Sequence, residues 1–114
     1  MAILETSISG VPLLTIVGEA DHSIGPQLQQ AAERAIRSHG THVLLDLKDC
    51  PYMDSGGLNV IVNLVRQVEP SGWVGVIHCS RMVLRLLGLV GLTTHGSFRV
   101  FQSLEEAGDA AAVS

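Results

Sequence analysis

VLLDLKDCPYMDSGGLNVIV, residues 43–62, passes from a strand-like apolar run to a helix-like one. Its first part is apolar on both faces apart from Asp46, the pattern of a strand buried inside a parallel sheet. Its last part opens LNVIVNLVRQVEPSG, in which Asn59, Asn63, Arg66 and Gln67 make one polar stripe. Leu58, Ile61, Val62, Val65 and Val68 make the opposite stripe, so the spacing predicts a helix lying on a core. Strand, short loop and helix are the first half of a parallel crossover. Asp54, Ser55, Gly56 and Gly57 sit at the joint.

Upstream, ILETSI and PLLTIVGE read as two short strands joined by a turn at Ser9-Gly10. DHSIGPQLQQAAERAIRSHG reads as a helix with Leu28, Ala31, Ala32, Ala35 and Ile36 on its apolar stripe. Ser23 suits its cap, Pro26 its first turn and Gly40 its stop. Downstream, WVGVIHC is a fourth strand, RMVLRLLGLVG a short helix and FRVF a fifth strand. SLEEAGDAA is a final helix, with Ser103 and Glu106 in capping-box spacing, and the tail from about residue 108 is expected to fray.

Two antiparallel strands followed by alternating helix and strand predict a single α/β domain spanning residues 1–114. Its sheet is mixed and mostly parallel, with about five strands and about four helices. In such sheets ligands gather at the carboxyl ends of the parallel strands. Ser55 therefore falls on the functional rim, with Asp21 and His22 after the second strand and His78 to Ser80 after the fourth.

Composition removes several classes of function. The chain is 46% hydrophobic and 16% charged, which favours a compact core over disorder. With net charge −4 and Lys48 the single lysine, no basic surface is available for a phosphate backbone, so direct nucleic-acid binding is not expected. No uncharged apolar run reaches the length of a membrane span, and MAILETSISG lacks the pattern of a signal peptide. The expected location is cytoplasmic, without membrane insertion. Cys50 and Cys79 are then expected to stay reduced, although both fall at strand ends and their separation is left open. The five histidines and two cysteines show no metal-ligand spacing, and no phosphate-binding loop is present, so no cofactor is expected.

Ser55 admits three readings. As a nucleophile it lacks the hydrolase elbow, because Met53 stands where that motif needs glycine, and no histidine spacing enforces a triad. As a cap it would satisfy orphan N–H groups, but Asp54 can do that alone. As a phosphate acceptor it stands at a helix N-terminus, which accommodates an anion. Gly56 and Gly57 weaken a first helical turn and leave room for another protein to approach the hydroxyl.

VLLDLKDCPYMDSGGLNVIV resembles the signature of the STAS domain, and in particular of bacterial anti-sigma factor antagonists. LTIVGEADHSIGPQLQQ is similar to the family's Gly-Glu-x-Asp segment, and RMVLRLLGLVGL to its Arg-Leu-Leu-x-x-x-Gly-Leu stretch. The three blocks occur in the family's order over nearly the whole chain. The resemblance implies a partner-switching regulator rather than an enzyme. Its unphosphorylated form would bind an anti-sigma factor with serine kinase activity and so release a sigma factor. Phosphorylation of Ser55 would end binding, and a serine phosphatase would restore it; nucleotide and magnesium belong to the kinase.

Asp54 would hold the turn, and Asp21 matches the acidic residue of the second rim loop. Gly56 and Asn59 depart from the family's usual residues there, and with Gly57 and Leu58 they border the expected docking site. Leu86, Leu89 and Val90 are further candidates for its border. The alternative implied by the family is an unphosphorylated STAS subunit of an inner-membrane transport complex.

Overall fold

At Ser9 and Gly10 both φ angles are positive, 51° and 82°, the backbone a two-residue hairpin turn needs. That turn joins β1 (Ala2–Ile8) to β2 (Val11–Val17), which pair antiparallel from Ala2 opposite Val17 to Ile8 opposite Val11. The computed structural model describes residues 2–18 and 25–113. After β2 come α1 (Gly25–His39), β3 (His42–Asp46), α2 (Ser55–Val68), β4 (Trp73–Ile77), α3 (Arg81–Leu89), a 3-10 turn (Leu92–Thr94), β5 (Phe98–Phe101) and α4 (Leu104–Ala112). The five strands form one sheet in the order β1-β2-β3-β4-β5, with every pair after the hairpin parallel.

Side chains alternate across the sheet, so each strand feeds two cores. Leu14, Ile16, Val43, Leu45, Val74, Val76 and Phe98 join residues of α1, α2 and α3 in one cluster. Val11, Leu13, Leu44, Trp73, Ile77 and Phe101 join Ala107 and Ala111 of α4 in the other. Three crossover helices thus cover one face and the terminal helix covers the other. Gly75, in the middle of β4, is required by this packing: a Cβ there would come within 2.5 Å of Cε2 of Phe101 and 2.9 Å of Cδ2 of Leu44.

Local signals explain most element ends. Gly40 has φ 102° and donates its N–H to the carbonyl of Ile36 at 3.1 Å, which closes α1. The proposed Ser23 cap lies outside the described residues. The apolar face of α2 is wider than its sequence stripe suggests. Val60 and Leu64 are buried with Leu58, Ile61, Val65 and Val68, while Val62 is half-buried.

The terminal helix α4 continues to Ala112, past residue 108. Ala107 and Ala111, one turn apart, are both buried against the second core, and a Cβ on Gly108 would stand 3.1 Å from Cδ1 of Ile8. Small residues let this helix lie close to the sheet and keep its last turn in place.

Candidate functional site

The loop between β3 and α2 is held from below by two buried side chains, Cys50 and Met53, at 0% and 1% exposure. The Cys50 N–H donates to the Leu47 carbonyl at 3.1 Å, and its thiol donates to the Tyr52 carbonyl at 3.4 Å. The loop therefore reverses direction with its apolar anchors inward and Tyr52 on the surface. It delivers Asp54 to the start of α2 in an extended conformation, φ −101° and ψ −170°, as an N-cap requires.

Asp54 is the cap. Its Oδ1 accepts the Gly56 N–H at 2.9 Å, and its own carbonyl accepts the first helical bond, from Leu58 N–H, at 3.1 Å. Ser55 is the first helical residue and is exposed. The capping acceptor is thus the aspartate, and the serine hydroxyl is left at the surface beside the positive end of the helix. Asn59, one turn on, is also exposed, so Ser55 heads the stripe that continues through Asn59, Asn63 and Arg66. Gly56 is half-buried, while Gly57 and Leu58 are buried beneath the hydroxyl. Neither glycine has a positive φ, so neither is required by a left-handed backbone angle.

The residues that flank the neighbouring rim loop, Gly18 and Gly25, both lie close to this segment. The Gly18 N–H at the end of β2 donates to the Asp49 carbonyl at 2.9 Å. A Cβ placed on Gly25, at the start of α1, would lie 3.8 Å from the Gly56 carbonyl oxygen and from Cγ2 of Val60. Residues 19–24, with Asp21 and His22, run between these two anchors and lie outside the described residues.

A second polar pair occupies the same end of the sheet. Asp46 is buried, its Oδ1 accepts the Lys48 N–H at 3.0 Å, and Nδ1 of His78 stands 3.3 Å from the same oxygen. His78 has φ 57° and turns the chain out of β4. The single acid in an apolar strand is the sequence signal for this pair, but its partner lies 32 residues away and no local pattern names it. Among the described residues His78 pairs with Asp46 and His95 with Glu69, and neither bonds Ser55. Among them, too, no cluster of histidine, cysteine and acidic groups could hold a metal.

Cys50 and Cys79 are both thiols. Burial, and then the nearby Cys50, push the Cys79 thiol up to about 11. Leu86 is half-buried and packs on the main core, whereas Leu89 is 77% and Val90 49% exposed. Of the three candidates on α3, the last two stand at the surface.

The family model for the STAS domain matches residues 3–107. The chain belongs to the STAS domain family. An anti-sigma F factor antagonist of Paenibacillus polymyxa is 33% identical over 85 residues, covering 73% of each chain. The crystal structure of an anti-sigma factor antagonist from Mycobacterium paratuberculosis superposes with a TM-score of 0.83 at 23% identity, covering 96% of this STAS chain and 92% of that one. SpoIIAA of Bacillus, an anti-sigma factor antagonist, superposes in its unphosphorylated form with a TM-score of 0.75 at 20% identity, covering 96% of both chains. Its phosphorylated form gives 0.76, also at 20% identity, over 96% of this chain and 98% of that one. No described helix of this STAS domain is long and apolar enough to cross a membrane.

Proposed function

We propose that this STAS domain is an anti-sigma factor antagonist that works by partner switching. The unphosphorylated protein binds an anti-sigma factor that is also a serine kinase, and that binding releases the sigma factor. The kinase transfers a phosphate from ATP to the Ser55 hydroxyl, binding ends, and a serine phosphatase restores the active form. The antagonist itself supplies no catalytic group and needs no cofactor.

The observation that carries this reading is the division of labour at the start of α2. Asp54 accepts the capping hydrogen bond, so the exposed Ser55 hydroxyl is available to a kinase. A phosphate there gains the favourable end of the helix dipole and adds about 1.5 to 2 negative charges beside Asp54. The fold tolerates the group, while a partner seated on the rim meets a concentrated negative charge. The relatives named as anti-sigma factor antagonists, and SpoIIAA with its phosphorylated form, support the same assignment.

In this scheme Gly56 and Gly57 give the partner room, Leu58 supports the turn from within, and Asn59 lies on the docking face. By the family resemblance, Asp21 is the acidic residue of the second rim loop. Leu89 and Val90, with the half-buried Leu86 behind them, border the partner on α3.

Incubation with ATP, magnesium and each serine-kinase anti-sigma factor of the same genome tests the scheme by intact mass. One phosphate on the wild type and none on Ser55→Ala is the expected result. No phosphate with any of them favours the unphosphorylated transport subunit.

A further inference from the structure

Residues 70–104 contain three arginines and no aspartate or glutamate, in a chain whose net charge is −4. This segment holds β4, α3, the 3-10 turn and β5, so a positive strip is built into an otherwise acidic protein. Two of the three arginines are on α3, where Arg81, Arg85 and Leu89 follow one another at four-residue spacing and Met82 lies in the adjoining row. All four are exposed, Met82 at 44% and Leu89 at 77%, while the inward row of Val83 and Leu87 is buried. Among the described residues neither Arg81 nor Arg85 has an acidic partner or a hydrogen-bond acceptor for its guanidinium.

An apolar strip edged by two such guanidinium groups matches an acidic surface better than a neutral one. We infer that the outer face of α3 docks an acidic amphipathic helix of the partner protein. Leucine-type side chains of that helix would seat on Met82 and Leu89, and its carboxylates would meet Arg81 and Arg85. As part of the switch, this rests on the proposed function and adds to it the chemistry of the partner surface. The face starts at the same end of the sheet as Ser55, since α2 and α3 follow the adjacent strands β3 and β4. One partner can therefore span both helix starts. It would be steered by charge at α3 and switched by charge at α2.

Two measurements separate this inference from the switch itself. In the first, a synthetic helical peptide with Glu and Leu at four-residue spacing, and a twin with Lys for every Glu, are titrated into the labelled full chain by NMR. The acidic peptide is expected to shift backbone amides of residues 81–90, the Lys twin to leave them in place, and Arg81→Glu/Arg85→Glu to remove the response. Equal responses to both peptides, no response to either, or shifts away from α3 would overturn the inference whatever happens at Ser55.

In the second, the anti-sigma factor that phosphorylates Ser55 is titrated against the same double variant. A loss of about tenfold or more in affinity, a flatter salt dependence and rescue by Arg81→Lys/Arg85→Lys are expected. Unchanged affinity with Ser55 still phosphorylated would remove the α3 docking face and leave the switch standing.

Discussion

Two helices start at the same end of the sheet, each at a serine, and they use it differently. At α3 the serine is the cap: Oγ of Ser80 accepts the Val83 N–H at 3.2 Å. The same holds on the far face, where Oγ of Ser103 accepts the Glu106 N–H at 3.1 Å to start α4. At α2 an aspartate takes over that role and the serine moves one position into the helix, exposed and not needed to hold the turn. A serine before a helix is ordinarily structural. At Asp54-Ser55 the aspartate takes the capping bond and the serine is left exposed beside it.

The α2 start depends more on its anchor than the α3 start does, because Ser55 hangs on a long loop while Ser80 follows its strand almost directly. Met53→Ala removes a buried side chain and should cost about 2–4 kcal/mol in urea unfolding, with loss of phosphorylation at Ser55 as the turn loosens. A cost below about 1 kcal/mol would show that the loop does not depend on this residue.

Next in size is a contrast in chemical access. Cys79, immediately before the Ser80 cap, is held protonated by its surroundings, with its thiol pushed up to about 11. At neutral pH it should react with iodoacetamide on the order of a hundredfold more slowly than an unperturbed thiol, because only the thiolate attacks. Labelling as fast as free cysteine would show that the α3 start is as open as the α2 start.

Asp54→Ala, Ser80→Ala and Ser103→Ala should each lower stability by about 1 kcal/mol, whereas Ser55→Ala should change it by less than about 0.5 kcal/mol. Thermal unfolding of the four variants decides the matter. A Ser55→Ala loss equal to the others would make the serine a cap after all.

The smallest effect belongs to the opposite end of the sheet, away from both helix starts. Nδ1 of His42 accepts the Trp73 N–H at 3.2 Å, and the two rings stack 4.8 Å apart, with Arg99 5.0 Å from the Trp73 ring. Burial, and then Arg99, hold the His42 imidazole below its usual range. The folded state thus binds this proton less readily than the unfolded state. The stabilisation is present above about pH 6.5 and is lost as pH falls toward and through the lowered folded value. Unfolding at about pH 7.5 and about pH 5.5 should show a modest loss for the wild type and a smaller one for His42→Gln. An equal loss in both would place the pH dependence elsewhere.

The contrast between the helix starts also separates what neighbouring residues dictate from what only packing decides. The hairpin turn, the close of α1 at Gly40, the α2 stripe and β5 follow from local chemistry that depends only on neighbours in sequence. So does the capping competence of Asp54. Strand ends are less legible, because apolar character outlasts pairing. Leu47 still donates its N–H to Ile77, but the Lys48 N–H turns back to the Asp46 side chain, so β3 stops before HVLLDLK does.

The end of α4 looks weak locally because it is alanine-rich, yet Ala107 and Ala111 are buried against a distant part of the chain. For the same reason the partner of Asp46 and the effect of Cys50 on Cys79 cannot be read from neighbouring residues: they join positions that only the β3–β4 pairing brings together. The short 3-10 turn after Gly91 carries no periodic signal, and what holds it is the buried Leu92. The three motif blocks locate the rim, yet only the hydrogen bond from Gly56 N–H shows that Asp54 is the cap.

In the proposed switch, charge placed on Ser55 ends partner binding while the fold stays as it is. Its most direct test is to titrate the phosphorylating anti-sigma factor against the unmodified protein and against protein phosphorylated stoichiometrically on Ser55, with NMR amide spectra of both forms. The expected result is a loss of affinity on the order of a hundredfold, the scale of a dianion forced into a docked surface, with shifted amides confined to the start of α2 and its neighbouring loops. Equal affinity of the two forms, or amide changes spread through both cores, would contradict it.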